Sequence, residues 1–231
     1  MSQTFKNLLK ILGFFILAMA AAILANQAVW PYLAERPVYI TEKKEIFIQE
    51  NTALTDAIAK AEKSIVGVKT KIKSGQLLEG SALSLTADGL AITLADLVPL
   101  GGNFVFFDSE GNATSSLPFQ ILKRDSKANL ALVKLGGVNL SSVSFSSFEE
   151  IRLGERVFLV GVSSDQKIMV NEGIVKSLNK DNIETNIIEK ANLAGSPLFD
   201  IEGNLLGINT IAKDGRVNAI PVAIIRQFTG F

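Results

Sequence analysis

Histidine and cysteine are both absent from the 231 residues, and each absence closes off chemistry. Without cysteine there are no disulfides, thiolate metal sites or cysteine nucleophiles. Histidine is the usual general base at neutral pH and the commonest zinc ligand. Its absence excludes ordinary Ser-His or Cys-His catalysis and most zinc chemistry. Net charge is missing too. The 23 basic side chains balance 23 acidic ones, so no global field draws the chain to nucleic acid or to an anionic surface. Composition therefore gives no expectation of a nucleic-acid partner, a metal or a cofactor.

What is present begins with one long apolar run. Lys6 and Lys10 precede an apolar stretch from Ile11 to Ala25, and polar Asn26 and Gln27 lead on to Trp30 and Tyr32. A bilayer span takes about 20 apolar residues. The segment from Leu8 to Trp30 suffices if Lys10 snorkels, with Trp30 and Tyr32 as an interfacial belt. Basic residues without acidic partners before the run place the N-terminus inside. A cleaved signal peptide is the competing reading, with Ala18-Met19-Ala20 or Ala20-Ala21-Ala22 as the small-residue cleavage site. Either sends the rest of the chain across the membrane. The expectation is a single-pass protein of the cell membrane with its C-terminal domain on the extracytoplasmic side.

Residues 1–7 read as a cytoplasmic N-terminus, 8–30 as the anchor, 31–61 as a stalk with a short helix, and 62–231 as one β-rich domain. The helix is capped at Asn51 or Thr52 and runs through Lys63, with Asp56 in its first turn and Lys60 and Lys63 toward its end. Beyond Ser64, short runs rich in Val, Ile, Leu and Phe recur between Gly, Asn, Asp and Ser. They cover 65–72, 81–85, 91–94, 103–107, 119–123, 131–135, 156–162, 169–178, 182–187, 198–199, 205–211 and 217–220. Short strands with turn signals between them indicate an all-β sandwich or barrel pair rather than alternating β/α units. The Ser-rich stretch 140–147 falls where two similar halves would join.

Three segments carry chemistry in their pattern. Gly80 to Val98 reads as a strand, an Asp88-Gly89 turn and a second strand, with Asp96 just after it as an exposed loop carboxylate. Asp125 to Lys134 places Asn129 before Leu130-Ala131 and an apolar strand. Asn192-Leu193-Ala194-Gly195-Ser196-Pro197-Leu198 is followed by a turn and the strand Leu206-Gly207-Ile208-Asn209. In this order and spacing the segments resemble the three signatures of the trypsin-like serine proteases, in the membrane-anchored, heat-stress-related bacterial branch. Leu153–Gly161, Glu172–Val175 and Ala219-Ile220-Pro221 fit the same pattern, so the resemblance runs from about Asn51 to Ile225. It implies an all-β fold of two antiparallel Greek-key six-stranded barrels behind one transmembrane helix. It also implies that Asp96 stands at the catalytic His position, Asn129 at the Asp position and Ala194 at the nucleophilic Ser. The family commonly appends a peptide-binding domain; ten residues follow Pro221, and that domain is expected to be absent.

In such a triad the hydroxyl attacks, the imidazole takes its proton and the carboxylate orients the imidazole. A methyl group cannot attack, and a carboxylate with a pKa of about 4 is a weak base for a hydroxyl. Losing one essential member costs on the order of a millionfold. The expectation is therefore a pseudo-enzyme, a membrane-tethered domain that binds a protein or peptide partner. Its cleft remnant comprises Asn192, Ala194, Gly195 and Ser196, where backbone N–H groups near Asn192 and Ala194 would form the oxyanion hole. Two other readings stand beside it. One is an active peptidase with relocated groups, such as Ser196 with Lys190 or a carboxylate site of Asp96 with Asp88 or Asp125. The other is a purely structural module of a membrane complex.

Overall fold

The computed structural model describes residues 3–28, 50–108, 117–136, 140–147, 150–163 and 165–231. The expected stalk at 31–49 and the Trp30 and Tyr32 belt lie outside these residues. The chain divides into two compact units, Met1–Phe47 and Ile48–Phe231. In the first, helix α1 (Gln3–Ala28) carries a 22-residue stretch, Lys6–Gln27, of mean hydropathy 2.5. At 1.5 Å per residue that stretch is about 33 Å long, enough to cross a hydrocarbon core. Phe14, Phe15 and Leu17 are each more than 70% exposed. A helix with no packed face of its own needs an apolar surrounding, which a membrane anchor or a signal sequence finds in the bilayer or the export machinery.

The second unit is mostly β. Helix α2 (Glu50–Ala61) leads through a 3-10 turn into strands β1 (Ile65–Lys71), β2 (Leu77–Ser84), β3 (Leu90–Leu94), β4 (Asn103–Asp108), β5 (Phe119–Asp125) and β6 (Leu130–Leu135). These form an antiparallel sheet in the order β4-β1-β2-β3-β6-β5. Its ends meet through Phe119, whose ring lies 5.9 Å from that of Phe104 and 5.1 Å from that of Phe106. The Leu117 N–H also donates to the Phe106 carbonyl at 2.8 Å. The second sheet contains β7 (Ser144–Phe145), β8 (Arg156–Val162), β9 (Ile168–Asn179), β10 (Asn182–Ile188), β11 (Pro197–Asp200), β12 (Asn204–Ile211) and β13 (Arg216–Pro221). Its order is β11-β8-β9-β10-β13-β12-β7, and β11 also pairs with β12. That extra pairing closes a six-stranded ring and leaves β7 as a parallel edge on β12.

The two barrel-like sheets agree with the expected fold, and each expected run falls on a strand. Alternation accounts for part of this, because in β10 and β13 side chains of one parity are buried and the others are more exposed, whereas the first four residues of β1 are buried on both faces. Phe158 and Phe199 stack at 5.4 Å and are wholly buried, as is Phe106. Burying each such ring contributes roughly 2–3 kcal/mol. One apolar cluster runs from the interior of the first barrel across to Phe158, Val160, Phe199 and Ile208 of the second. The barrels therefore share a seam rather than merely touching.

Two local expectations are corrected. Helix α2 begins at Glu50, so Asn51 and Thr52 lie within its first turn and Asp56 sits in its middle. The chain also ends in a helix, α3 (Val222–Thr229), that no run of the sequence reading includes. Val222, Ile225 and Phe228 recur every three residues and are buried, and Gly230 terminates the helix in the left-handed region at φ 86°. The Lys123 ammonium donates to the Phe228 carbonyl at 2.7 Å and ties this end to the first barrel.

Candidate functional site

The first barrel contributes a clasp. After β3 the chain makes a 3-10 turn over Ala95–Leu97. The Arg124 guanidinium on β5 holds that turn from behind, donating to the carbonyls of Val98 and Ala95 at 3.0 Å each. Asp125 caps the neighbouring turn by accepting from the N–H groups of Lys127 and Ala128, which keep its carboxyl below the usual 3.8. The chain then enters Asn129 at φ 50°, a left-handed conformation that Asn tolerates better than most residues. So placed, the Asn129 amide meets Asp96 twice. Its Nδ2 donates to Oδ2 of Asp96 at 2.9 Å, and its Oδ1 accepts from the Asp96 N–H at 3.0 Å. The Asn129 carbonyl accepts from Ala95 N–H at 3.1 Å.

The second barrel contributes the facing loop. Residues Ala191–Leu193 form a 3-10 turn before β11. The Ala194 carbonyl accepts from Ser81 N–H at 2.9 Å, joining this loop to β2 across the seam. Glycine is required at two points of this junction. A Cβ on Gly80 would stand 2.4 Å from the Ala194 carbonyl oxygen, and one on Gly195, at φ 80°, would stand 2.3 Å from the Ser81 oxygen. Strand β2 and this loop thus close on each other with no room for a methyl group.

Between them lies a groove of about 320 Å³ lined by Gln76, Leu77, Leu78, Glu79, Asp96, Leu97, Ala191, Asn192 and Ala194. The structure brings Asp96, Asn129 and Ala194 to one place. Asp96 bonds Asn129, and Asp96 and Ala194 share the groove wall. Asn192 lines it as well. Gly195 lies behind it, donating to the Asn209 carbonyl at 2.8 Å. The Ala194 N–H donates to the Ala191 carbonyl at 3.1 Å, inside the 3-10 turn. Asn192 does not adopt a positive φ. In this state the loop directs the Ala194 N–H to its own backbone rather than into the groove.

Other groupings do not assemble. Ser196 is wholly buried, its Oγ accepting from Asn209 Nδ2 at 3.1 Å, whereas Lys190 is exposed. Asp88 pairs with Lys134 and Thr86, and Asp125 with backbone amides. Each carboxylate therefore serves its own turn. Among the described residues no group of three or more acidic side chains gathers to hold a metal ion. Sequence reasoning missed Leu77, Leu78, Glu79 and Leu97 as groove walls. The sequence carried no signal for them; Leu77, for one, is an apolar side chain at the mouth of a strand whose 64% exposure only the structure shows.

The profile of the trypsin-like peptidase domain matches residues 80–208, which include both loops. The chain belongs to that family. Among curated proteins it is 30% identical over 163 residues to "Serine protease HTRA1" of Xenopus laevis, covering 64% of this chain and 35% of that one. It is 24% identical over 139 residues to "Probable periplasmic serine endoprotease DegP-like" of Halomonas elongata, covering 57% and 29%. Thus the chain spans about a third of the length of these relatives. A solved structure of the same fold is "HtrA-type protease AlgW with tripeptide", with TM-score 0.67, 22% identity, and 77% of this chain and 62% of that one covered. These findings correct the expectation that the chain is not an enzyme. The relatives are named as serine proteases and the family is a peptidase family, so the comparisons point to a peptidase.

Proposed function

We propose that this HtrA/DegP-like peptidase-family domain works outside the cytoplasm, tethered by α1, and holds an extended segment of a partner protein in the groove between its barrels. In this reading Asp96, Asn129 and Ala194 stand at the family's triad positions, and Asn192 and Ala194 wall the remnant of its cleft, with Gly195 and the buried Ser196 behind it. The observation that carries it is the meeting of Asp96, held by Asn129, and Ala194 on one groove walled by leucines. An apolar trough bordered by a few fixed polar groups suits an extended chain better than a small rigid ligand. Periplasmic naming of DegP-like relatives supports the compartment.

The peptidase family and the names of the relatives, which are proteases, favour a second reading over holding alone. It has the chain cleave what it holds, through groups other than a hydroxyl at position 194. One experiment serves both. The full chain in detergent micelles is mixed with fluorescently labelled, unstructured casein, and both anisotropy and fragment release are followed. Binding that Ala194→Trp abolishes by filling the groove supports the first reading. Fragments that accumulate and vanish with that variant support the second. Binding unaffected by Ala194→Trp would refute the groove.

A further inference from the structure

Among the described residues the groove is lined by two carboxylates and no cation. Glu79 and Asp96 both border it, and the remaining walls are Leu77, Leu78, Leu97, two alanines and two side-chain amides. The two acids differ in how far they are already satisfied. Glu79 lies 3.8 Å from Lys69 on the neighbouring strand, a long and part-exposed pair that contributes little. Asp96 is exposed and has one oxygen, Oδ2, engaged by the Asn129 amide. Its other oxygen, Oδ1, accepts no hydrogen bond from any described residue. Asn129 and Arg124 fix the turn that bears it, so this oxygen is presented in a set direction rather than on a mobile side chain.

A fixed, half-satisfied carboxylate beside leucine side chains favours a donor that is cationic and carried on an apolar stem. Lysine and arginine side chains meet both requirements, their methylenes lying along the leucines while the charged head reaches Asp96. We infer that the groove selects partner segments that place a lysine or arginine among apolar residues, with Asp96 as the charge-reading side chain and Glu79 as its support. This rests on the peptide-binding reading above and adds the class of segment bound. An acidic residue at the same place would meet two carboxylates of its own sign and be excluded, so the selection works by repulsion as well as attraction.

The test uses the full chain in neutral detergent micelles and three fluorescein-labelled decapeptides of Leu, Val and Ala that differ at one central position, Lys, Gln or Glu. Anisotropy titrations at low salt are expected to give the order Lys, then Gln, then Glu, with Lys at least about fivefold tighter than Glu. That ratio falls toward one in Asp96→Asn and narrows in Glu79→Gln, and it shrinks as salt is raised. Asn at position 96 can still accept from Asn129 Nδ2, so loss of the ratio reports charge rather than a collapsed turn. Equal affinities for the three peptides, or a ratio unchanged in Asp96→Asn, would overturn the selectivity and leave the groove standing. No measurable binding of any of the three would overturn both.

Discussion

Asn129 makes the residue-scale argument most clearly. Its left-handed φ of 50° and its two bonds to Asp96 are separate contributions, and substitutions can divide them. Asn129→Ala loses the amide and strains the backbone, and should cost about 2 kcal/mol of unfolding free energy. Asn129→Gly loses the amide but relieves the strain, and should cost less. Urea titrations of the two variants check the order, and a reversed order would mean that φ is not held there. The role of Asp96 was legible as an exposed carboxylate in a loop, but its clasp was not. Residues 33 positions apart meet only because β3 and β6 are neighbours in the sheet.

Acid sensitivity belongs to the same scale. The Ser163 hydroxyl, and after it Lys167, hold Asp165 at about 2, below its ordinary 3.8, in the turn between β8 and β9. A lowered folded-state value means that stabilisation from the charged form is present above pH 3.8 and is lost as pH falls toward 2. The melting temperature of the wild type should exceed that of Asp165→Asn at pH 7. The gap should close between about pH 4 and pH 2. A gap independent of pH would show that the ionised form is not what matters.

At the scale of elements, the junction of β2 with the loop before β11 is a point of close backbone approach. Gly195→Ala would place its methyl 2.3 Å from the Ser81 oxygen and strain a φ of 80°. It should therefore destabilise the chain by more than about 2 kcal/mol, whereas Gly154→Ala shares the positive φ without a neighbour and should cost less. Thermal melts of the pair check this, and equal losses would mean that the close approach contributes nothing. Most strands were legible because apolar runs recur between turn residues, almost continuously buried in β3, β6 and β8 and alternating in β10 and β13. Strand β7 was not, since two residues cannot show a period and its partner β12 is remote in sequence. Helix α3 escaped for another reason. Its apolar run Val222–Ile225 continues directly from a strand, and only the buried i, i+3, i+6 spacing to Phe228 distinguishes it.

At the scale of the whole molecule, the family match over residues 80–208 spans both loops, and the apolar seam joins the two barrels that bear them. The groove is built from both barrels, with Leu77, Leu78 and Asp96 from the first and Asn192 and Ala194 from the second. A photo-crosslinking amino acid in place of Asn192 therefore tests the central claim most directly, with one in place of Leu153 as the control on a different surface. Illuminated with unstructured casein, the full chain should form adducts from position 192 and few or none from position 153, and excess unlabelled casein should suppress them. Equal capture at both positions, or none at 192, would contradict the account.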